Sequence, residues 1–139
     1  MCRVFISHSE EDSVFVEHIR RLLFLIDVEC LIAERKPEAG KELWDKIQQM
    51  IEDSYFIIPI LTTSGITSDW VQREITMAKT LKKRFIPVVD RIVKENLPHP
   101  LKGKEFIPYE ADALIDTLEK IVFQVRDYKK NDIGFATNC

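Results

Sequence analysis

A chain of 139 residues is long enough for one packed core and too short for two domains. It is 45% hydrophobic and 31% charged with a formal net charge of -3, which argues against a nucleic-acid domain with its basic patch. No apolar run approaches the roughly 20 residues of a membrane span and the N-terminus has no signal-peptide core, so a cytoplasmic protein without membrane contact is expected.

The first strand is Val4-Phe5-Ile6, and Ser9 to Asp12 supplies the small and acidic residues of a helix start. Phe15, Ile19, Leu22, Leu23 and Ile26 then recur at helical spacing. Val28 to Ile32 reads as a second strand, followed by a polar loop, Ala33 to Lys41, broken by Pro37 and Gly40. A helix from Glu42 to Asp53 is expected to bury Leu43, Ile47, Met50 and Ile51. The run Tyr55 to Leu61 is apolar on consecutive positions, as in a strand covered on both faces, with Pro59 tolerable only near its end.

Thr62 to Gly65 is a loop signal, and Thr67 or Ser68 caps a helix running to Leu81. Phe85 to Val89 is a fourth buried strand, Asp90 to Lys104 is irregular, and Phe106-Ile107-Pro108 is a short edge strand. A last helix from Ala111 to about Lys129 precedes a loose tail. The three scattered cysteines, Cys2, Cys30 and Cys139, match neither a disulfide framework nor a zinc site and read as buried or terminal thiols.

Alternating strands and helices predict an α/β fold, a flavodoxin-like five-stranded parallel sheet of order 2-1-3-4-5 with helices on both faces. The domain covers residues 1–130 and a flexible C-terminal tail covers 131–139. Ligands of such sheets bind where the strand order reverses, here between Ser7 to Asp12 and Thr62 to Ser68.

Glu74 stands out against this pattern. At about 100° per residue, Trp70, Val71, Ile75, Met77, Ala78 and Leu81 form one apolar arc, and Glu74 falls near its middle. A carboxylate there needs a partner, because desolvating it costs several kcal/mol. A capping box does not supply one, since position 71 is Val. A basic residue from another element, or a place at the edge of the sheet's cover, would be structural explanations. The functional one is that Glu74 lines the crevice with Trp70 one turn nearer the helix start, an arrangement suited to a flat, cationic ligand. Trp70 also reads as a core or lid residue.

Dinucleotide, Walker A and nucleophile-elbow fingerprints are absent, and the third strand ends in Leu61-Thr62-Thr63 where a receiver domain needs an aspartate. His8 ends the first strand within reach of the crevice, although a lone histidine is usually a turn residue; His18 and His99 form no metal or triad pattern. Lys79, Lys82, Lys83 and Arg84 read as a solvated helix end.

With these residues in view, the chain resembles the TIR domain family. Val4 to Asp12 looks like its first-strand motif, Arg35 to Gly40 is similar to the loop after its second strand, Trp70 to Glu74 matches the W-x-x-x-E helix start of its enzymatic members, and Phe85-Ile86-Pro87-Val88 resembles its fourth strand. The likeness runs from about Arg3 to Tyr128. Lys36 stands where the family usually has Asp, Ala39 where a second Pro is frequent, and the Phe-Trp motif of animal receptor TIR domains is missing. The first two departures bear on the loop's conformation and contacts, and the missing Phe-Trp motif points toward a prokaryotic-type or otherwise enzymatic TIR domain.

The resemblance implies cleavage of NAD at the nicotinamide-ribose bond, in a defence or signalling pathway. Glu74 would be the catalytic residue, with Trp70 stacking on the nicotinamide side and Ser7, His8 and Arg35 as further substrate contacts. NAD is then the substrate, and neither a metal nor a separate cofactor is called for. Hydrolysis to ADP-ribose and cyclisation both remain open. The expected partners are further copies of the chain or other TIR domains, which in this family often complete the site. The alternative is a non-enzymatic TIR-TIR interaction module that uses the Arg35 to Lys41 loop and the helices.

Overall fold

The structure is a computed structural model and describes residues 1–35 and 40–131. In chain order it contains β1 (Cys2–Ser7), a 3-10 turn (Glu10–Asp12), α1 (Ser13–Phe24), β2 (Val28–Leu31), α2 (Lys41–Glu52), β3 (Phe56–Leu61), a short α3 (Thr63–Ile66) and α4 (Asp69–Thr80). There follow β4 (Arg84–Phe85), β5 (Val88–Val89), two 3-10 turns (Arg91–Asn96 and His99–Leu101), β6 (Ile107–Pro108) and α5 (Leu114–Asn131).

All strand pairs are parallel and run β2-β1-β3-β5-β6, with β4 also on β3. The expected fourth strand is split at Ile86-Pro87, so β4 and β5 together occupy its place and the order is the flavodoxin-like one. Pro59 lies inside β3, not near its end, and the split explains why it is tolerated. It shares strand parity with Ile57 and Leu61, whose carbonyls accept from Ile86 N (2.8 Å) and Asp90 N (3.0 Å). Its missing N–H therefore faces the gap between β4 and β5, where no ladder bond is lost.

Alternation along the strands sends consecutive residues to opposite faces. Val4, Ile6, Phe56, Ile58 and Ile60 pack under α1 and α5 through Phe15, Ile19, Leu23, Ile121 and Val125. On the other face, Phe5 and Ile57 meet Trp44, Ile47 and Ile51 of α2 and Ala78 of α4, while Leu61 and Val89 meet Val71 and Ile75. Ser7 follows Phe5 by two positions, so it points to the same side, toward α4.

Several expectations change in detail. Thr62 to Gly65 is not a plain loop: Thr62 Oγ1 accepts from Gly65 N at 3.2 Å and caps α3. A Cβ at Gly65 would lie 2.2 Å from the Ile60 carbonyl oxygen, which is why this turn needs glycine. Ser68, one of the two expected caps, starts α4 by accepting from Val71 N at 3.2 Å. In α2 the fully covered residues are Trp44, Ile47 and Ile51, and Leu43 and Met50 sit at the margin. Cys30 is a free, buried thiol that desolvation pushes up to about 12; Cys2 is disulfide-bonded rather than a free thiol.

The Lys83 and Arg84 side chains are not merely solvated. Lys83 Nζ donates to the Glu52 and Ser54 carbonyls at 2.9 and 2.8 Å, and the Arg84 guanidinium lies over Tyr55 and Tyr128. No helix among the described residues is long and apolar enough to cross a membrane. The expectations for Lys36, Pro37 and Ala39, and for all of the C-terminal tail beyond Asn131, fall outside the described residues.

Candidate functional site

Glu74 is 2% exposed, so the arc position read from the sequence is a buried one. Its two carboxylate oxygens are divided between two donors. Ser7 Oγ, brought in by the last residue of β1, donates to Oε1 at 2.7 Å. Trp70 Nε1, one helical turn back on α4, donates to Oε2 at 3.2 Å. Burial pushes the carboxyl up to about 7, against the Ser7 hydrogen bond, the positive charge of Arg35 and the Trp70 hydrogen bond, which favour the ionised form. Desolvation wins because the two neutral donors and a half-buried guanidinium replace only part of the lost hydration.

Arg35 is half-buried in the segment after β2, and its Cζ stands 5.6 Å from the centre of the Trp70 ring. Trp70 in turn lies 4.8 Å from Trp44 of α2, with 43° between the ring planes. Arg73 Cζ sits 3.8 Å over the Trp44 ring. The sequence reading missed Trp44 and Arg73. Trp44 could have been found, because it falls in the same helical arc as Ile47 and Ile51, but its contact with Trp70 joins two helices and leaves no local signature.

A second cluster ties the two crevice loops together. Asp12 Oδ2 accepts from Thr62 Oγ1 at 2.6 Å, Ser9 Oγ at 3.0 Å and Ser64 Oγ at 3.3 Å. These residues border a cleft of 690 Å³ where the sheet order reverses, shared with Arg35, Ser68, Asp90 and Tyr109. The described lining residues place four carboxylates, from Glu10, Glu11, Asp12 and Asp90, against one guanidinium. A neighbouring cleft of 580 Å³ is lined by His8, Glu10, Ser13, Val16, Ile32 and Arg35 among others. Arg35 and Glu10 are the wall between them.

The structure thus brings four of the five candidate residues to one place. Ser7, Trp70, Glu74 and Arg35 adjoin one another, whereas His8 turns its Nδ1 to the Ser9 carbonyl oxygen at 2.6 Å and faces the second cleft. Desolvation holds His8 below its ordinary value. Among the described residues neither cleft is lined by Glu74 or Trp70. The carboxylate is buried, and the Arg35 charge acts on it from the segment after β2. Among the described residues no group of three His, Cys, Asp or Glu side chains is placed to hold a metal ion.

The profile of the family described as "TIR domain" matches residues 4–122. The chain belongs to the TIR domain family. No curated protein sequence matches this TIR domain. Among solved structures it is similar to the RPS4 and RRS1 TIR domain heterodimer, at 18% identity and a TM-score of 0.70, covering 91% of this chain and 97% of that one. It is also similar to the CMP N-glycosidase BcmB of Clostridium botulinum, at 17% identity and a TM-score of 0.64, covering 87% and 98%. A third likeness is to a TIR-STING receptor from C. gigas bound to 2',3'-cGAMP, at 23% identity and a TM-score of 0.65, covering 86% of this chain and 39% of that one. At these identities the likenesses show the fold alone.

Proposed function

We propose that this TIR domain works by associating with other TIR domains, and that the assembled protein cleaves the nicotinamide-ribose bond of NAD with Glu74 as its catalytic carboxylate. One observation carries the reading: a carboxylate beside the strand-order reversal is held by Ser7 and Trp70, yet is 2% exposed. A residue kept there at the expense of desolvation is prepared for a charge that it meets only when the site opens. Association supplies the force to open it.

The chemistry follows from the charge. As the bond from C1′ to the nicotinamide nitrogen lengthens, its electron pair leaves with nicotinamide and positive charge grows on the ribose. An ionised Glu74 in a water-poor site stabilises that charge, and burial, which pushes its carboxyl up to about 7, is opposed by the Ser7, Arg35 and Trp70 contacts that favour the ionised form. The cationic nicotinamide ring draws the carboxyl down further once bound. Arg35 already occupies a cation's place near the Trp70 ring, so a nicotinamide ring entering there would displace it toward the pyrophosphate. Water adding at C1′ and losing a proton gives ADP-ribose; a hydroxyl or the adenine of the same molecule gives a cyclic product.

The likenesses weigh more for association than for catalysis. A heterodimer of TIR domains and a TIR-STING receptor support the first half, and an N-glycosidase acting on CMP supports nucleotide N-ribosyl cleavage in this fold without naming NAD. An interaction module without catalysis is therefore the second reading, favoured also by the closure of Glu74. Chromatography of incubations with NAD and with CMP, at protein concentrations spanning self-association, separates the two. Nicotinamide from NAD in the assembled state is expected. Cytosine from CMP alone would move the substrate to another nucleotide, and association without any base release would leave only the interaction module.

A further inference from the structure

Trp70 holds one side of the Glu74 carboxylate, and something must aim its indole. The N–H···O distance of 3.2 Å is at the long limit of such bonds, so a ring shift of a few tenths of an ångström loses it. Within α4, Trp70 is in the first turn after the Ser68 cap and is only partly buried, so packing inside its own helix does not fix the ring. The contact that does so comes from α2. Trp44 is 6% exposed, planted beside Ile47 and Ile51, and its ring meets Trp70 at 4.8 Å, inside the range for favourable aromatic pairs. Arg73 returns from α4 to cover Trp44 at 3.8 Å, closer than Arg35 comes to Trp70 at 5.6 Å.

We propose that Trp44 and Arg73 are positioning residues for Glu74: stacked across the boundary between α2 and α4, they hold the Trp70 indole at the angle from which its N–H reaches the carboxylate. The groups that bond to or act on the Glu74 carboxylate are Ser7, Trp70 and Arg35, and neither proposed positioning side chain is one of them. Their effect passes through Trp70, so α2 and the carboxylate move as one unit, and a partner that displaced α2 would release Glu74. The consequence for catalysis rests on the NAD-cleaving reading; the positioning itself does not.

The protein contains two tryptophans, Trp44 and Trp70, so Trp44→Phe and Trp44→Leu each leave Trp70 as the sole indole emitter. Among the described residues, the ionisable groups recorded around the pair are Arg35 after β2, whose charge acts on Glu74, Arg73 on α4, and His8 beyond Arg35 after β1; Ser7 faces the carboxylate from β1 as a neutral donor. Fluorescence is titrated from pH 5 to 9, with Glu74→Gln in each background as the reference that removes the Glu74 transition and keeps that of His8. Losing the indole hydrogen bond removes a group that favours the ionised carboxyl, so Trp44→Leu and Arg73→Met are expected to raise the Glu74 midpoint by about half a pH unit. Trp44→Phe and Arg73→Lys, which keep an aromatic face and a cation, should restore it.

The acidic limb of the kcat/KM profile for NAD, which reports the free protein, should move by the same amount. A raised midpoint without NAD turnover in any form would confirm the positioning and remove the catalytic reading. Midpoints in folded Trp44→Leu and Arg73→Met equal to those of their conservative counterparts, or a fluorescence curve unchanged by Glu74→Gln, would overturn the proposal whatever the turnover.

Discussion

Glu74 ties stability and the proposed activity together with opposite signs. Its carboxyl stands at about 7 in the fold against an ordinary 4.5, so between these values the folded state binds more protons than the unfolded one. Stability from this residue is complete below about pH 4.5 and is lost as pH rises through 7, to a total of about 3 kcal/mol. Glu74→Gln keeps a group that can accept from Trp70 and pair with Ser7 but does not ionise. It is expected to raise Tm at pH 8.5, to leave Tm nearly unchanged at pH 4.5, and to abolish NAD cleavage; calorimetry at the two pH values checks the first two. Arg35→Gln removes both the cation near Trp70 and the charge that favours ionised Glu74. Its expected signature is a KM for NAD raised about tenfold together with an upward shift of the kcat midpoint, read from initial rates across pH.

The β1 and β3 loops form the crevice because hydroxyl groups converge on one carboxylate oxygen. Thr62 both caps α3 and donates to Asp12, so Thr62→Val, which keeps the volume, should lower the unfolding free energy by about 2 kcal/mol in urea titrations. A loss confined to a few tenths would mean that solvent replaces the hydroxyl. These loops also mark the limit of what the sequence makes legible. Periodicity reveals α1, α2, α4 and α5 and the buried position of Glu74, because a helix repeats its environment every 3.6 residues. The Asp12 cluster joins residues about fifty positions apart and its members look like ordinary loop polars, so no local pattern announces it. Trp44 was readable as a core residue but not as the neighbour of Trp70. The break between β4 and β5 was equally hidden, since Pro59 and Pro87 acquire their meaning only when placed side by side in the sheet.

In the whole protein, the crevice walls are acidic apart from Arg35 among the described residues that line them, and Glu74 is buried. A dinucleotide carrying a pyrophosphate is not welcomed by such a surface until its charge distribution is changed, which an associating TIR domain can do by covering carboxylates or adding cations. Turnover is therefore expected to rise more steeply than linearly with protein concentration and to fall when dilution separates the copies, as followed by light scattering on the same samples. Nicotinamide release from NAD, measured side by side for the wild-type protein and Glu74→Gln at a concentration where both are equally assembled, tests the central claim most directly. The account predicts release by the wild type and at least about a hundredfold less by Glu74→Gln; equal release by the two proteins, or none from the assembled wild type, would contradict it.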